Sequence, residues 1–472
     1  GSIIMLEAAL LLLPILTAIV YGEWNTLRVF AGSALFCIVA GALLRGKKPE
    51  NTTIFSVEGY VSVALCWVAL SICGAIPLCV SGVLQNPFDA FFEIVSGFTT
   101  TGSSVMQSVE GAPRAILMWR SFSHWVGGMG VLVFMLALLP MAGPSSMHLM
   151  KAESPGPSVG KLVPKVRSTA KILYQIYFVL TVAMLACMIL TGCPLFDSVN
   201  LTFATAGTGG FGVLDSSAAE YGAATQWVMT IFMILFGVNF NVYFLFYVKR
   251  FKEGMKSEEA RAYLGIIASA VLLISVNIFY MVRNLELTVR QAAFQVASII
   301  TTTGFSSVDF DLWPEFSKGI LVLLMFCGAC AGSTGGGMKV SRLCIMAKTV
   351  MKELAFIIHP RNVRKTRFEG KTVEHEVLRS INVFLVAYLG IFVLSVMLIS
   401  LDNFDFATNF TAVAATLNNI GPGLAKVGPT QNFGIYSNFS KLVLAFDMLA
   451  GRLEIFPMLV PMIYLLRKKQ LS

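Results

Sequence analysis

A glycine flanked by threonine, serine or asparagine recurs four times in this 472-residue chain, each time directly after a short apolar stretch. The copies centre on Gly102, Gly210, Gly304 and Gly421, so they lie 94 to 117 residues apart. Glycine reaches backbone conformations that residues with a Cβ rarely adopt. Loops of this kind around one axis can turn carbonyl oxygens inward and replace the hydration shell of a monovalent cation. The alternative is four ordinary turns between helices, but four copies in the same relative position favour an ion site.

In each copy, the predicted site takes in the glycine and the two residues before it. The predicted cation-binding residues are therefore Thr100, Thr101, Gly102, Thr208, Gly209, Gly210, Thr302, Thr303, Gly304, Asn419, Ile420 and Gly421. The neighbouring Thr, Ser and Asn side chains can hold the loops by hydrogen bonds or present further oxygens.

The composition is that of an integral membrane protein. Hydrophobic residues make up 56% of the chain, charged residues make up 13%, and the mean hydropathy is +0.75. Soluble domains carry about twice that share of charge. Runs long enough to cross a bilayer lie at 3–20, 27–44, 59–82, 115–140, 169–192, 225–248, 262–282, 319–347, 378–400 and 440–466. The nine cysteines are scattered through such runs, which is typical of small buried residues and not of a disulfide framework.

Basic residues lie in alternate loops between these runs. Threading ten crossings puts 26 of the 35 Lys and Arg residues on one side of the membrane, together with both termini. The positive-inside rule makes that side cytoplasmic. The net charge of +9 is then explained by topology in the inner (plasma) membrane and not by nucleic-acid binding. The basic stretch at 361–367 suits either a regulatory subunit or anionic lipid headgroups.

The loops on the opposite side hold thirteen acidic residues against seven basic ones. Eight of the acids are Asp89, Glu93, Asp197, Asp215, Asp309, Asp311, Asp402 and Asp405. An acidic vestibule would raise the local concentration of cations. The same acids could instead be solvated loop charges or helix caps, and the two interpretations are compatible.

The chain repeats one order of elements: a crossing helix, an apolar stretch too short to cross, the glycine loop and a second crossing helix. The short stretches, at 88–96, 197–206, 292–300 and 406–417, suit re-entrant helices that line a pore. The sequence predicts an all-α polytopic membrane protein with four such repeats in a pseudo-fourfold arrangement around a pore, plus an N-terminal two-helix hairpin. The expected boundaries are 1–50 for the hairpin and 51–150, 151–256, 257–355 and 356–472 for the repeats.

The second crossing helix of the third repeat contains five glycines in ten residues. Each glycine costs about 1 kcal/mol relative to alanine, so we expect this helix to break into two pieces joined by a loop. A loop at membrane depth is a candidate gate, formed by Gly328, Gly332, Ser333, Thr334, Gly335, Gly336 and Gly337 together with Arg452. A phosphate-binding loop is excluded, because Met338 separates Gly337 from Lys339 and no strand precedes it.

Several polar residues lie inside apolar stretches, where charge is expensive and usually faces the bundle interior or a water-filled path. Arg452 either faces the pore and opposes cation flow until displaced, which we favour, or clamps Asp447, Glu454 or backbone carbonyls. Arg120 needs a partner that the sequence does not name. His124 is predicted to be packed and hydrogen-bonded rather than a ligand.

Six stretches together resemble the Trk/Ktr/HKT superfamily of potassium transporters, most closely its TrkH-type membrane subunits. They are residues 99–102, 125–130, 152–157, 330–337 with Lys339 following, 418–423 and 451–454. They are spread over nearly the whole chain, and the extra N-terminal hairpin is similar to the Trk branch.

The resemblance implies potassium uptake, with K⁺ as the substrate and no covalent cofactor. It places K⁺ at Thr101, Gly102, Gly209, Gly210, Thr303, Gly304, Ile420 and Gly421. It further implies a homodimer with one pore per protomer, a cytosolic ring of TrkA-type nucleotide-binding regulatory subunits, and a gate in the interrupted helix with Arg452 under the filter. Glycine at position 102 resembles the potassium-selective pattern.

Two other functions compete with this one. A sodium-permeable or cation-coupled (K⁺/Na⁺ or K⁺/H⁺) symporter fits because four inequivalent loops make a less symmetric filter. A membrane enzyme is disfavoured, since the four histidines (His124, His148, His359 and His375) show no metal-ligand spacing and no catalytic triad or paired carboxylates share a segment.

Overall fold

The computed structural model describes residues 1–46, 56–130, 166–360 and 365–470, and these ranges are mainly helical. The helices are α1 Ser2–Leu10, α2 Leu12–Val20, α3 Trp24–Arg45, α4 Ser56–Val80, α5 Pro87–Phe98, α6 Arg114–Gly128, α7 Val166–Leu190, α8 Leu195–Ala206, α9 Ala223–Phe236, α10 Phe240–Tyr247, α11 Phe251–Met255, α12 Glu258–Val282, α13 Leu285–Ile300, α14 Glu315–Cys327, α15 Val340–Ile358, α16 His375–Ile399, α17 Phe406–Leu417, α18 Asn438–Arg452 and α19 Phe456–Gln470. A small antiparallel hairpin joins β1 Arg367–Phe368 to β2 Lys371–Thr372. The motif at 152–157 and part of the basic stretch at 361–367 lie outside the described residues.

Six described segments are long and apolar enough to cross a membrane: Ser2–Val20, Trp24–Arg45, Val57–Val80, Lys171–Leu190, Glu258–Val282 and His375–Asp402. They match six of the runs predicted from the sequence. Large apolar side chains on them, such as Leu43, Leu190, Val276 and Val386, are exposed, as expected of surfaces that face lipid. The chain is therefore a multi-pass, all-α membrane protein.

Four shorter helices, α5, α8, α13 and α17, follow long helices and match the predicted re-entrant stretches. The N-cap residues Asn86, Asn284 and Asp405 accept backbone hydrogen bonds at the starts of α5, α13 and α17, which satisfies amides that the first turn leaves free. The third of these helices begins at Leu285 rather than near residue 292. Its polar first turns, with Glu286 and Arg290 paired at 2.9 Å, hid the helix from a search for apolar runs.

The four repeats are called the first to fourth units below. The second crossing helix of every unit ends after 13 to 15 residues, and these helices are α6, α9, α14 and α18. The sequence predicted a break only in the third. In the second unit, α9 and α10 meet at 87° across residues 237–239. In the fourth, α18 and α19 are separated by a turn in which Glu454 and Ile455 have positive φ. The apolar runs predicted at 225–248 and 440–466 are therefore each divided between two helices, and the part of 115–140 beyond residue 130 lies outside the described residues.

The N-terminal hairpin is attached to the first unit. Helix α1 packs against α3 and α4, while α2 packs against α3 and α6. Its buried side chains, including Leu11, Phe30 and Cys37, belong to the same apolar cluster as the interior of α4 and α5. Packing of this kind fixes α4, the helix that precedes the first glycine loop.

Candidate ion-binding site

The four short helices end in the same backbone geometry. In each, the residue two before the repeated glycine is left-handed, with φ of 57° at Thr100, 56° at Thr208, 59° at Thr302 and 56° at Asn419. Such a conformation costs about 1–3 kcal/mol for a residue with a Cβ and persists where the surroundings enforce it. Its recurrence at four equivalent positions indicates that one constraint acts on all four loops.

The same hydrogen bond closes each of these turns. The amide of the residue before the glycine donates to the carbonyl oxygen five residues earlier. The bond from Thr101 to Ser96 is 2.9 Å long. The bonds from Gly209 to Ala204, from Thr303 to Ser298 and from Ile420 to Ala415 are each 2.8 Å long. This bond is a helix C-terminal capping interaction. It directs the chain out of each helix along an equivalent path.

The repeated glycines join the four loops into a closed ring. A Cβ added to any of them would lie close to a carbonyl oxygen of a neighbouring loop. The distance would be 1.9 Å from Gly102 to the oxygen of Gly209 and 2.1 Å from Gly210 to that of Thr303. It would be 2.0 Å from Gly304 to the oxygen of Ile420 and 3.0 Å from Gly421 to that of Thr101. The contacts therefore run from the first loop to the second, third and fourth, and back to the first. Backbone packed this closely leaves no room for a side chain at the glycine, which is why the sequence repeats it.

All four glycines line one polar cavity of about 200 Å³ on the side from which the short helices enter. The next residue toward the helix in each loop, Thr101, Gly209, Thr303 or Ile420, contributes the carbonyl oxygen that contacts a neighbouring glycine. Four main-chain oxygens arranged in this way can take the place of water around an alkali metal ion. All twelve residues predicted to form the ion site lie in these four loops.

Side chains behind the ring differ between the loops. In the first and third loops, two threonine hydroxyls pair, Thr99 with Thr101 at 2.8 Å and Thr301 with Thr303 at 2.7 Å. The second loop has Gly207 and Gly209 at these positions and the fourth has Asn418 and Ile420. The ring is therefore fourfold in its backbone and only partly so in its side chains.

The amide of Asn419 fastens the fourth loop to the first. Its Nδ2 donates to the hydroxyl of Thr101 at 2.9 Å and to the carbonyl oxygen of Met448 on α18 at 2.9 Å. The hydroxyl of Thr100, one residue earlier in the first loop, is buried without a hydrogen-bond partner. An unpaired buried oxygen beside the ring is compatible with contact to an ion or to water.

His124 supports the second loop from behind, as a packed and hydrogen-bonded residue. Its Nδ1 lies 2.7 Å from the carbonyl oxygen of Gly97, and its Nε2 accepts the amide of Phe211 at 3.3 Å. The imidazole of His124 is completely buried. A Cβ on Gly209 would lie 2.2 Å from the imidazole, so this side chain also fixes how close the second loop sits to α6.

Arg120 finds its partner in Glu93, and the two form a buried ion pair with Nε and Oε1 2.8 Å apart. The carboxylate also accepts the amide of Val105 at 2.9 Å and the hydroxyl of Ser104 at 2.9 Å. The guanidinium lies 4.0 Å from the ring centre of Phe211. The pair thus ties α5 and α6 to the segments after the first and second glycines, and the expectation that Glu93 belongs to an open vestibule is wrong.

Three other outer acids, Asp405, Asp89 and Asp215, act mainly as caps and links. Asp405 caps α17, and hydrogen bonds from the hydroxyl and amide of Thr408 hold the pKa of its carboxyl below the usual value. Asp89 pairs with Lys441 at 2.6 Å. Asp215 accepts hydrogen bonds from the loop after the first glycine and also lines the cavity above the ring. The position of Asp215 is therefore compatible with the vestibule interpretation, which stays a prediction.

The glycine-rich segment of the third unit is non-helical from Gly328 to Lys339, as predicted, and lies directly beneath the ring. The amide of Gly336 donates to the hydroxyl of Thr302 at 2.6 Å. A Cβ on Gly336 would lie 2.6 Å from the carbonyl oxygen of Asn418. The ammonium group of Lys339 donates to the carbonyl oxygen of Gly335 and closes the segment on itself. The third and fourth loops therefore rest on this segment.

Glu259, at the start of α12, holds the segment in place. Its carboxylate accepts the amide of Ala331 at 2.7 Å, the amide of Ser341 at 3.1 Å and the side-chain amide of Asn239 at 3.2 Å. Asn239 belongs to the bend between α9 and α10. The glycine-rich segment and the bend of the second unit are thus connected through one buried carboxylate.

Arg452 donates to carbonyl oxygens in two other units. It contacts Thr334 in the glycine-rich segment at 2.8 Å and Gly128 at the end of α6 at 2.6 Å. The first and third units lie opposite each other in the ring, because the glycine contacts run through the second or the fourth. A side chain that reaches both therefore crosses the space beneath the ring. Its contacts with backbone carbonyls match the clamp considered from the sequence, and its place beneath the ring is compatible with the pore-facing role, which stays a prediction.

Neither acid near Arg452 forms the ion pair considered from the sequence. Glu454 pairs with Arg342 on α15, and Asp447 accepts the hydroxyl of Ser395 at 2.7 Å. Glu259 was assigned no role from the sequence, and Glu93 was interpreted as a charge of an outer loop or vestibule. Both acids lie at the edge of apolar stretches, which is the signal that could have identified them as buried.

Comparisons with known proteins agree with this overall fold. Residues 26–472 match the family model TrkH, described as a cation transport protein. The chain is 34% identical over 470 residues to the Trk system potassium uptake protein TrkH of Escherichia coli, covering 98% of this chain and 96% of that protein. It is 35% identical over 478 residues to the TrkH protein of Vibrio parahaemolyticus, with the same coverage. The crystal structure of the potassium transporter TrkH from Vibrio parahaemolyticus matches with a TM-score of 0.87 at 32% identity, covering 98% of this chain and 96% of that one. This chain is a member of the TrkH family of cation transport proteins.

Proposed function

We propose that this protein takes up K⁺ across the cell membrane through the ring formed by the four glycine loops. The observation that carries the proposal is the closed sequence of contacts from Gly102 through the other three loops and back. A dehydrated K⁺ needs several oxygens at once, and main-chain carbonyls supply them without a side-chain charge that would hold the ion too tightly. Relatives named as potassium uptake proteins support K⁺ as the substrate.

The glycine-rich segment at 328–337 acts as the gate. It lies beneath the third and fourth loops, and its contacts with Thr302, Asn418 and Arg452 would have to change before an ion could leave the ring toward the cytoplasm. Breaks in helices at membrane depth are tolerated where they line a cavity. Such a segment can rearrange without unfolding a continuous helix.

The protein would lie in the inner membrane with both termini in the cytoplasm, in line with the basic loops on that side. It would work as a homodimer whose gates are set by a cytosolic ring of nucleotide-binding subunits. Helix α15 and the β-hairpin extend from the gate segment and carry exposed charges, including Lys348, Glu353 and Lys371. Movement of these elements by a bound partner would reach the gate directly.

A sodium-permeable or cation-coupled mechanism is the second candidate. The inequivalent side chains behind the ring favour it, because the second and fourth loops lack the threonine pairs that stiffen the first and third. A filter held less evenly discriminates less well between ions of different radius.

Ion flux into proteoliposomes tests the filter. We expect Rb⁺, a K⁺ surrogate, to enter faster than Na⁺ and the Gly102→Ser variant to lose that preference, because its Cβ would collide with the carbonyl oxygen of Gly209. Gly111→Ser, in an open outer turn, is the matched control. Unchanged selectivity in Gly102→Ser would overturn the filter assignment, and equal Rb⁺ and Na⁺ entry into the unmodified protein would favour the second candidate.

Removal of residues 332–336 tests the gate. We expect basal Rb⁺ flux to rise several-fold in the deletion variant, since the segment would no longer reach the ring. Thermal unfolding in detergent shows whether the variant is folded. Flux at or below that of the intact protein, in a folded variant, would remove the gate assignment and leave the filter proposal standing.

A further inference from the structure

Three side chains that can bind metal meet where the N-terminal hairpin joins the first unit. Glu7 lies on α1, Cys37 on α3 and Cys73 on α4, and one ligand atom from each lies within 4.8 Å of the other two. Glu7 and Cys37 have no exposed surface, and Cys73 is also buried. In the part of the chain that the structure describes, no other group of three His, Cys, Asp or Glu side chains meets in this way.

The carboxylate of Glu7 distinguishes this cluster from an ordinary apolar contact. Neither of its oxygens has a hydrogen-bond partner. By contrast, the buried carboxylate of Glu93 is paired with Arg120, and that of Glu259 accepts three hydrogen bonds. Leaving a buried polar group unpaired is unfavourable, and more so if the group is charged. Such a group in a well-packed interior indicates an ion or ligand that completes its contacts.

The chemistry of the three ligand atoms selects the ion. Two sulfurs and one carboxylate oxygen suit a thiophilic metal ion, whereas K⁺, Mg²⁺ and Ca²⁺ prefer oxygen ligands alone. With Zn–S bonds of about 2.3 Å and Zn–O bonds of about 2.0–2.2 Å, neighbouring ligand atoms of a tetrahedral site lie about 3.4–3.8 Å apart. Small side-chain rotations would close the present spacing to that value. We infer that Glu7, Cys37 and Cys73 form a binding site for a thiophilic metal ion such as Zn²⁺.

The location of the site indicates what the ion would do. A Cβ on Gly74, next to Cys73, would lie 2.8 Å from a carboxylate oxygen of Glu7 and 3.2 Å from the ring of Phe98. Phe98 is the last residue of α5, immediately before the first glycine loop. A metal ion would therefore tie α1 and α3 to α4 directly behind that helix and hold the hairpin on the first unit. This role is separate from ion transport, so its test does not depend on the proposed function.

Metal binding to the full chain tests the inference. The chain is purified in detergent, stripped of metal with a chelator and then exposed to Zn²⁺ or Cd²⁺. We expect about one Zn²⁺ per chain by elemental analysis after dialysis, a rise in Tm with Zn²⁺ concentration, and the ultraviolet charge-transfer band of metal–thiolate bonds when Cd²⁺ is the probe. Glu7→Gln and the double variant with Cys37→Ser and Cys73→Ser should each lose the tightly bound ion. Cys79→Ser, also on α4 but outside the cluster, should keep it.

The comparison between variants excludes ions bound elsewhere. Zn²⁺ retained by the double cysteine variant as in the unmodified protein, or lost equally from Cys79→Ser, would overturn the site. A stable unmodified protein that binds no Zn²⁺ and no Cd²⁺ would overturn it as well. Glu7→Gln keeps the size of the side chain, so a loss of metal from this variant without a loss of folding would assign the carboxylate as a ligand.

Discussion

The ring and the region beneath it follow different symmetries. In the ring, four loops share one left-handed residue, one capping hydrogen bond and one close glycine contact. Beneath it, the second unit bends by 87°, the third has a non-helical segment of twelve residues and the fourth has a three-residue turn. The backbone that would contact an ion is thus uniform, whereas the backbone that would release it differs from unit to unit. Under the proposed function, permeation would need all four units alike, whereas gating would depend above all on the third and fourth units.

The largest expected effect comes from breaking the ring at one of its close glycine contacts. In Gly304→Ala the Cβ would lie 2.0 Å from the carbonyl oxygen of Ile420, so we expect Rb⁺ flux to fall by at least about a hundredfold, equivalent to about 2.7 kcal/mol. Gly421→Ala is the matched variant, since its Cβ would lie 3.0 Å from Thr101, and it should lose less. Flux in Gly304→Ala equal to that of the unmodified protein, or a greater loss in Gly421→Ala, would contradict the account.

An intermediate effect is expected beneath the ring. Arg452→Ala removes the hydrogen bonds that join the glycine-rich segment to the end of α6, so basal Rb⁺ flux should rise several-fold. Arg452→Lys keeps the charge but has no planar fork of donors. Its basal Rb⁺ flux should lie between that of the unmodified protein and that of Arg452→Ala. Equal flux in all three proteins would show that this side chain neither blocks nor clamps the pathway.

The smallest expected effect distinguishes the caps of the short helices. Asp405 has a lower pKa in the folded protein than in the unfolded chain, so its stabilising contribution is present above the unfolded value of about 3.9 and is lost as the pH falls through the lower folded value. Asn86 and Asn284 cap α5 and α13 without titrating. Asp405→Asn should therefore lower Tm slightly at pH 7, where the ionised carboxylate contributes, and reduce the further loss of Tm below about pH 4. A pH profile that the substitution does not alter would assign acid sensitivity to other groups.

The sequence predicted those parts of the structure that repeat. The four short helices and the glycine loops were recognisable because apolar stretches and small residues recur at similar spacing. The breaks after Phe236 and Arg452 were not, because the flanking residues are apolar enough to continue a helix and the breaks depend on tertiary contacts, such as that of Asn239 with Glu259. The partner of Arg120 was also hidden, since Glu93 is 27 residues away and only the packing of α5 on α6 brings them together.

The cluster around Glu7 was missed for a similar reason. Its three members lie on three helices, and the cysteines look like ordinary small residues of apolar runs. Neither spacing nor composition signals that they converge. Only the packing of α1 between α3 and α4 reveals it.

The central claim is that the four loops bind a dehydrated alkali ion with their main-chain oxygens. Diffraction from crystals grown with Rb⁺, recorded at the Rb⁺ absorption edge, tests it most directly. The account predicts an anomalous peak on the axis of the ring, within contact of the carbonyl oxygens of Thr101, Gly209, Thr303 and Ile420. An empty ring beside Rb⁺ bound elsewhere in the same crystal would contradict it.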